Sequence, residues 1–288
     1  MKKSISKSEL RVMDLSPRKD QANKPRELIQ VTGHQSLTLA ARRAITILWH
    51  SAHRQGIEEN KSYTIEISEL RPPNSHDNTL VEDAILSLMK TILSVVREDG
   101  STTRVQFLGG NNMHDPRRAH GVLTYNFDKY LIEILQDSKI WGKISLPVLM
   151  AFSSKYAITL YENVSQWTGL NNKTSATFSI EELRLLLGVE PEKYGLFGTL
   201  NQDVLKPALA EINALAHFNI GALIIKTGRK VTHVRLNWWD KTVEEHKEAW
   251  AEMNRAKTGR KARISKQAEY VVGPVGGLAY LTHENGKD

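Results

Sequence analysis

The chain has 288 residues, of which 40% are hydrophobic and 25% charged, as in a water-soluble globular protein of about two domains. It contains no cysteine, which excludes disulfides, thiolate nucleophiles and cysteine-based zinc clusters. The basic start Met1–Ser4 lacks a following apolar segment, and no apolar run approaches the ~20 residues needed to cross a bilayer. We therefore expect a cytoplasmic protein without a membrane partner.

The net charge of +7 comes mainly from the two ends of the chain. Residues 1–36 hold 8 Lys/Arg against 4 Asp/Glu, and residues 241–288 hold 9 against 7, which leaves 22 against 21 between them. Such a neutral body must bind a polyanion through local side-chain arrangement. Six basic residues and no acid lie between Arg255 and Lys266. That run either follows phosphates or is a solvated, disordered tail.

The first elements in chain order are a polar segment, a helix and a strand. Residues 1–30 carry two Pro-containing dipeptides and predict a flexible arm. Helical periodicity begins at Ser36 and ends near Gly56, with apolar residues at positions 40, 44, 47 and 48. The alternating segment Tyr63–Ile67 predicts a short strand.

A second helix and a hairpin complete the first half. The helix is predicted from Leu80 to about Gly100, with apolar residues at 80, 84, 88, 92 and 95 on one side. Strands at 103–108 and 121–125 then enclose a loop that holds Arg117 and Arg118. Helix, strand, helix and hairpin in this order predict a first winged-helix domain over residues 31–135. The two arginines either contact DNA from its wing or form a solvated turn.

The second half has a stronger pattern of the same kind. A helix from Ser154 to Trp167 is followed by a short helix after Phe178, a longer helix ending at Asn213, and a hairpin. We predict a second winged-helix domain over residues 136–240 and a basic C-terminal tail over 241–288. The fold class is therefore α+β, with two tandem winged-helix domains and flexible basic N- and C-terminal tails.

The longer helix has two contrasting sides. At 100° per residue, its core side carries Leu200, Val204, Leu205, Ala208, Leu209 and Ile212. The opposite side carries Thr199, Gln202, Asp203, Lys206, Ala210 and Asn213. Asn201 falls inside the apolar side, so we expect it to cap the helix. Pro207 predicts a kink or an irregular first turn. The polar side is either an ordinary solvated surface or a face that reads base edges in a major groove.

The hairpin places three basic residues at its tip, namely Lys226, Arg229 and Lys230, beside Gly228. A basic tip next to a recognition helix suits a wing that contacts phosphates or a minor groove. Ser154 and Lys155, at the start of the first helix of this half, are candidates for helix capping or for phosphate contact. The predicted DNA-binding set is thus Thr199, Asn201, Gln202, Lys206, Lys226, Arg229, Lys230, Ser154, Lys155, Arg117 and Arg118.

Several short motifs carry a family resemblance. They are Phe152–Tyr156, Leu160–Glu162, Phe178–Arg184, Leu187–Val189, Tyr194, Val204–Ala208, Glu211–Asn213 and Gly228–Val231. In these motifs the chain resembles bacterial plasmid replication initiators of the iteron-binding, two-winged-helix type. The resemblance is specific over about residues 145–239 and looser over 35–140. One departure is the sequence Asn201–Asp203, where the family has a basic pair, which leaves the base preference open.

The resemblance implies a function and a set of partners. Such initiators bind double-stranded DNA at origin iterons and at an operator, help to open the origin, and recruit the host replication initiator and the replicative helicase. A homodimer, formed through the first domain and in equilibrium with monomer, represses the initiator's own gene. The alternative is a winged-helix transcriptional repressor that binds an inverted repeat as a stable dimer.

Catalytic sites find no support in the residue pattern. No two histidines have the His-hydrophobic-His spacing of a rolling-circle initiator, and no Gly-x4-Gly-Lys-Ser/Thr phosphate loop is present. His50 and His53 share a helix, but no third metal ligand accompanies them. We therefore expect no enzymatic activity, no cofactor and no metal.

Overall fold

The computed structural model describes residues 15–30, 35–72, 75, 77–96, 100–113, 121–136, 138–168, 170, 173–265, 269–272 and 278–281. The helices are α1 (Arg26–Ile29), α2 (Leu39–Arg54), α3 (Ile67–Leu70), α4 (Thr79–Lys90), α5 (Lys129–Gln136), α6 (Leu146–Ala151), α7 (Lys155–Thr168), α8 (Ile180–Leu187), α9 (Phe197–Leu200), α10 (Lys206–Leu215), α11 (Val243–Asn254) and α12 (Arg260–Ile264). A π-helical turn, Asn201–Leu205, joins α9 to α10. The strands are β1 (Gln21–Pro25), β2 (Tyr63–Glu66), β3 (Ile92–Val96), β4 (Thr102–Gln106), β5 (Asn111–Met113), β6 (Val122–Tyr125), β7 (Trp141–Ser145), β8 (Ser175–Ser179), β9 (Phe218–Thr227), β10 (Lys230–Asp240), β11 (Glu269–Val272) and β12 (Leu278–Leu281).

The first winged helix is built on α2 and α4. The Thr38 hydroxyl caps α2 by accepting from the Ala41 amide, and the apolar stripe of α2 is buried against α4. The antiparallel sheet β2-β6-β5 covers another side of α2. The Tyr125 hydroxyl donates to the Leu48 carbonyl at 2.5 Å, which ties the sheet to α2.

The predicted second helix and hairpin differ from the structure. The helix ends at Lys90, and Ile92–Val96 form β3, which pairs with β4. The strand at 121–125 pairs with β2 and with β5, which lies inside the predicted loop 109–120. Positions 92 and 95 fit a helical stripe, but the β-branched residues Ile92, Val95 and Val96 favour a strand, and pairing with β4 stabilises that strand.

The predicted flexible arm is wrong over its second part. Residues 21–30 form β1, which pairs with β7, and α1. Asn23 and Lys24 are buried, and the Lys24 ammonium lies 2.8 Å from both Glu162 carboxylate oxygens and 2.9 Å from the Thr46 hydroxyl. The polar composition of the segment concealed this burial, because the compensating carboxylate belongs to α7.

The second winged helix packs against the buried helix α7. Ser179 and Glu182 form a reciprocal capping box at the start of α8, and Gly188 ends that helix with a φ of +66°. The sheet has the order β8-β10-β9. Trp167 of α7 stacks on Trp238 of β10 with ring centroids 5.3 Å apart, so the sheet packs directly on the helix.

Residues that follow the second winged helix are also folded, in contrast to the predicted tail. Thr242 and Glu245 form a capping box for α11, and Ala249 is buried against the domain. The Arg260 side chain is only 5% exposed and donates to the Ala151 carbonyl and to the Glu252 carboxylate. Arg263 also pairs with Glu252, at 2.8 Å. Arg255 also pairs with Glu252, and the Lys257 ammonium donates to the Met150 carbonyl. Four members of the predicted basic run thus bind protein groups, and Lys266 lies outside the described residues.

Candidate nucleic-acid interface

Residues Phe197–Leu215 form one continuous helical rod, which we call the recognition helix. Its buried side consists of Leu200, Val204, Leu205, Ala208 and Ile212. Its exposed side consists of Thr199, Gln202, Asp203 and Lys206. These residues match the predicted division, because the burial of one apolar stripe fixes which polar residues face solvent. Ala210 and Asn213, predicted on the polar side, and Leu209, predicted on the core side, are half-buried.

A π-helical turn interrupts the recognition helix before Pro207. The Lys206 amide donates to the Asn201 carbonyl, five residues back, and Pro207 lies in the first turn of α10. The wider turn accommodates a proline ring that would clash with an α-helical carbonyl. Asn201 lies in this turn and is half-buried, so the prediction that it caps the helix is wrong. The helix begins one turn earlier, after Leu196.

The C-terminal half of the recognition helix is tied to the rest of the domain. Asn213 exchanges two hydrogen bonds with the Ile220 backbone of β9, which fixes the angle between helix and wing. Glu211 is buried and accepts from the Ser153 amide and hydroxyl and from the Ser154 amide. These bonds hold the recognition helix against the start of α7.

The loop before the recognition helix is held by Arg184 of α8. The Arg184 guanidinium donates to the carbonyls of Tyr194 at 2.6 Å, Pro191 at 3.0 Å and Glu190 at 3.3 Å, and also to that of Lys193. Sequence reasoning did not assign Arg184 this role. Its place in the Phe178–Arg184 motif was the available signal.

Ser154 and Lys155 have contacts within the protein. The Ser154 hydroxyl accepts from the Tyr156 and Ala157 amides and thus caps α7. The Lys155 ammonium donates to the Gln35 carbonyl in the first domain and to Glu190, each at 3.0 Å. Hydrogen bonds from Lys193 and Lys155 lower the pKa of the Glu190 carboxyl. Lys155 therefore connects the first domain to the loop that Arg184 holds.

The wing is the antiparallel hairpin β9–β10. Its strands pair along their length, from Phe218 opposite Asp240 to Thr227 opposite Lys230, with an irregularity between Val231 and His233. Gly228, in the two-residue turn, has a φ of +60°, a backbone conformation that a side chain would disfavour. All three basic residues at the predicted tip, Lys226, Arg229 and Lys230, are exposed.

The remaining candidates all lie in the first half of the chain. Arg117 and Arg118 lie outside the described residues, in the segment between β5 and β6. His50 is buried, and the ring of His53 stacks on Trp49 with centroids 6.1 Å apart. The described part of the chain holds no group of three His, Cys, Asp or Glu residues placed to bind a metal. Within the same residues, no helix has the length and apolarity that a membrane crossing requires.

Comparisons with known proteins identify the family. The family model described as "Initiator Replication protein, WH1" matches residues 21–165, and "Initiator Rep protein, WH2" matches residues 179–238. A solved structure of the Pi initiator protein in complex with iteron DNA has a TM-score of 0.62 and 17% identity, covering 77% of this chain and 98% of that chain. A structure of domains 2 and 3 of RctB has a TM-score of 0.45 and 12% identity, covering 72% and 82%. A search of curated proteins found no match.

The first family model alone covers half of the chain, and the second covers most of the second winged helix. The predicted resemblance and the predicted fold of two tandem winged helices are thereby confirmed. The chain belongs to the family of initiator replication proteins.

Proposed function

We propose that this protein initiates replication by binding iteron repeats at a plasmid origin. The observation that carries the proposal is the exposed polar face of the recognition helix beside a basic wing, in a member of the initiator family. Gln202 can pair with adenine, Lys206 can donate to guanine or phosphate, and Asp203 can accept from cytosine. The Pi initiator shares the fold, and its complex with iteron DNA supports the choice of ligand.

The wing and the helix have different tasks in this proposal. Thr199, Gln202 and Lys206 face base edges, and the half-buried Asn201 borders them. Lys226, Arg229 and Lys230 bind phosphates and supply affinity without base preference. The phosphate role of Lys155 is the weakest of the set, because its ammonium already bridges the Gln35 carbonyl and Glu190.

The first domain supplies a second contact. Two winged helices in adjacent major grooves cover roughly two helical turns, about 20 base pairs. Arg117 and Arg118 are proposed to reach the DNA backbone from the segment between β5 and β6. The initiator then helps to open the origin and recruits the host initiator and replicative helicase in the bacterial cytoplasm, while a homodimer bound at an operator represses its gene.

Nuclease footprinting on DNA flanking the gene tests this function. Protection of several tandem repeats, each of about two helical turns, is the expected result. Lys206→Ala should weaken that protection, whereas Lys143→Ala, the same charge loss at an exposed position of β7, should leave it unchanged. A single protected palindrome would instead indicate a repressor. Protection of the whole DNA fragment without defined edges would refute sequence-specific binding.

A further inference from the structure

Leu196, at the start of the recognition helix, has an exposure that neither the core nor local helix chemistry explains. Its side chain is 77% exposed, the highest value for a large hydrophobic residue in the described part of the chain. It occupies the N-cap position, with φ −93° and ψ 138°, where Ser, Thr, Asp or Asn is preferred. It makes no capping hydrogen bond. A ligand group that covers this leucine would therefore gain binding free energy by removing apolar surface from water.

Leu196 lies at the N-terminal end of the recognition helix. It directly precedes the first helical residue, Phe197, and lies three residues before the exposed Thr199. A recognition helix enters the major groove with its N-terminal residues foremost. Leu196 is thus an apolar contact at the leading end of an otherwise polar reading face.

The backbone around Leu196 is held in place before DNA arrives. Arg184 binds the carbonyls of residues 190, 191, 193 and 194, and Tyr194 has a left-handed φ of 54°. The ring of Tyr194 also meets that of Tyr156 edge-on, at 6.2 Å. A side chain on a pre-organised backbone loses less conformational entropy on binding than one on a free loop.

Thymine is the base that offers an apolar group in the major groove, its C5-methyl group. We propose that Leu196 packs against one thymine methyl and so sets a thymine preference at one position of the repeat. The inference rests on the proposed function, because it requires the recognition helix to lie in the major groove. This apolar contact adds a base preference that hydrogen bonds from Gln202 or Lys206 do not supply.

The test removes the methyl group without changing base pairing. A synthetic duplex of the footprinted repeat is prepared with each thymine replaced in turn by deoxyuridine, and Kd is measured for the wild type and for Leu196→Ala. We expect one substitution to weaken wild-type binding about fourfold, the factor supplied by burial of one methyl group. The same substitution should leave Kd of Leu196→Ala unchanged, because the contact is already lost. Circular dichroism confirms that both proteins are folded.

Other outcomes separate this inference from the proposed function. If deoxyuridine has no effect at any position, or affects both proteins equally, Leu196 does not contact a methyl group, although specific binding stands. Gln202→Ala serves as the matched control, since it should retain the deoxyuridine effect while losing preference elsewhere. If the wild type binds the repeat no better than random DNA, the proposed function and this inference both fail.

Discussion

Removing the Lys24 ammonium tests how β1 is held against α7. Lys24 and Glu162 form an ion pair at 2.8 Å, with side chains only 2% and 8% exposed. In Lys24→Met the Glu162 carboxylate keeps the Thr46 hydroxyl, at 2.7 Å, but loses its bidentate ammonium donor. An uncompensated buried charge of this kind costs about 3–5 kcal/mol of unfolding free energy.

The contacts that remain limit this magnitude. The Thr46 hydroxyl still donates to Glu162, and the buried Arg42 guanidinium still attracts its carboxylate. We therefore expect Lys24→Met to lower the unfolding free energy by about 3–4 kcal/mol.

Urea denaturation followed by tryptophan fluorescence measures the loss, because the Trp49 indole donates to the Asn23 carbonyl next to Lys24. The double variant Lys24→Met with Glu162→Met should recover part of the lost stability, because the unpaired carboxylate is then gone, whereas the buried Arg42 guanidinium loses the attraction of Glu162. Lys61→Met is the matched control, in which the exposed partner Glu58 is 68% accessible and a loss under about 1 kcal/mol is expected. A loss in Lys24→Met equal to that of the Lys61→Met control, or a double variant less stable than Lys24→Met, would refute the reasoning.

Three further predictions concern the wing, the loop and a buried histidine. The double variant Arg229→Ala with Lys230→Ala should reduce the slope of log K against log salt concentration by about 1.8 without changing base preference. Filter binding measures this slope, and an unchanged slope would mean that the wing does not contact DNA. Arg184→Ala should free the loop before the recognition helix and raise Kd for specific DNA about tenfold. Kd for random DNA should change little, and an equal rise in both Kd values would indicate general unfolding. Burial lowers the pKa of His50 below its ordinary value of 6.5, so the unfolded chain binds the proton more readily and stability falls as pH drops below that value. His50→Gln should flatten this fall in thermal unfolding, and parallel curves for the two proteins would contradict the assignment.

The second winged helix was predictable because its signals are local. The apolar stripe from Leu200 to Ile212 fixes which side of the recognition helix is buried, and it is buried as expected. The hairpin of β9 and β10 follows from alternation on either side of Gly228. Pro207 signalled an irregular turn, although the sequence could not distinguish a kink from the π-helical turn that is present.

The predictions that were wrong concern residues whose binding partners lie far away in the sequence. The local sequence around Lys24 predicts a solvated polar arm, but the carboxylate that pairs with Lys24 lies 138 residues later. Arg260 belongs to a basic run in the sequence, yet it binds the Ala151 carbonyl, 109 residues earlier. Buried charges of this kind have no periodic signal, so sequence patterns assign them to solvent.

The π-helical turn Asn201–Leu205 affects how specificity is compared between relatives. Such a turn inserts one extra residue into an α-helix, which rotates everything after it by about 100° relative to an uninterrupted helix. A relative with a straight helix therefore presents a different side chain to the same base pair beyond this point, even where aligned residues are identical. Gain or loss of this single residue can change the preferred repeat of an initiator in one evolutionary step, without any substitution on the reading face.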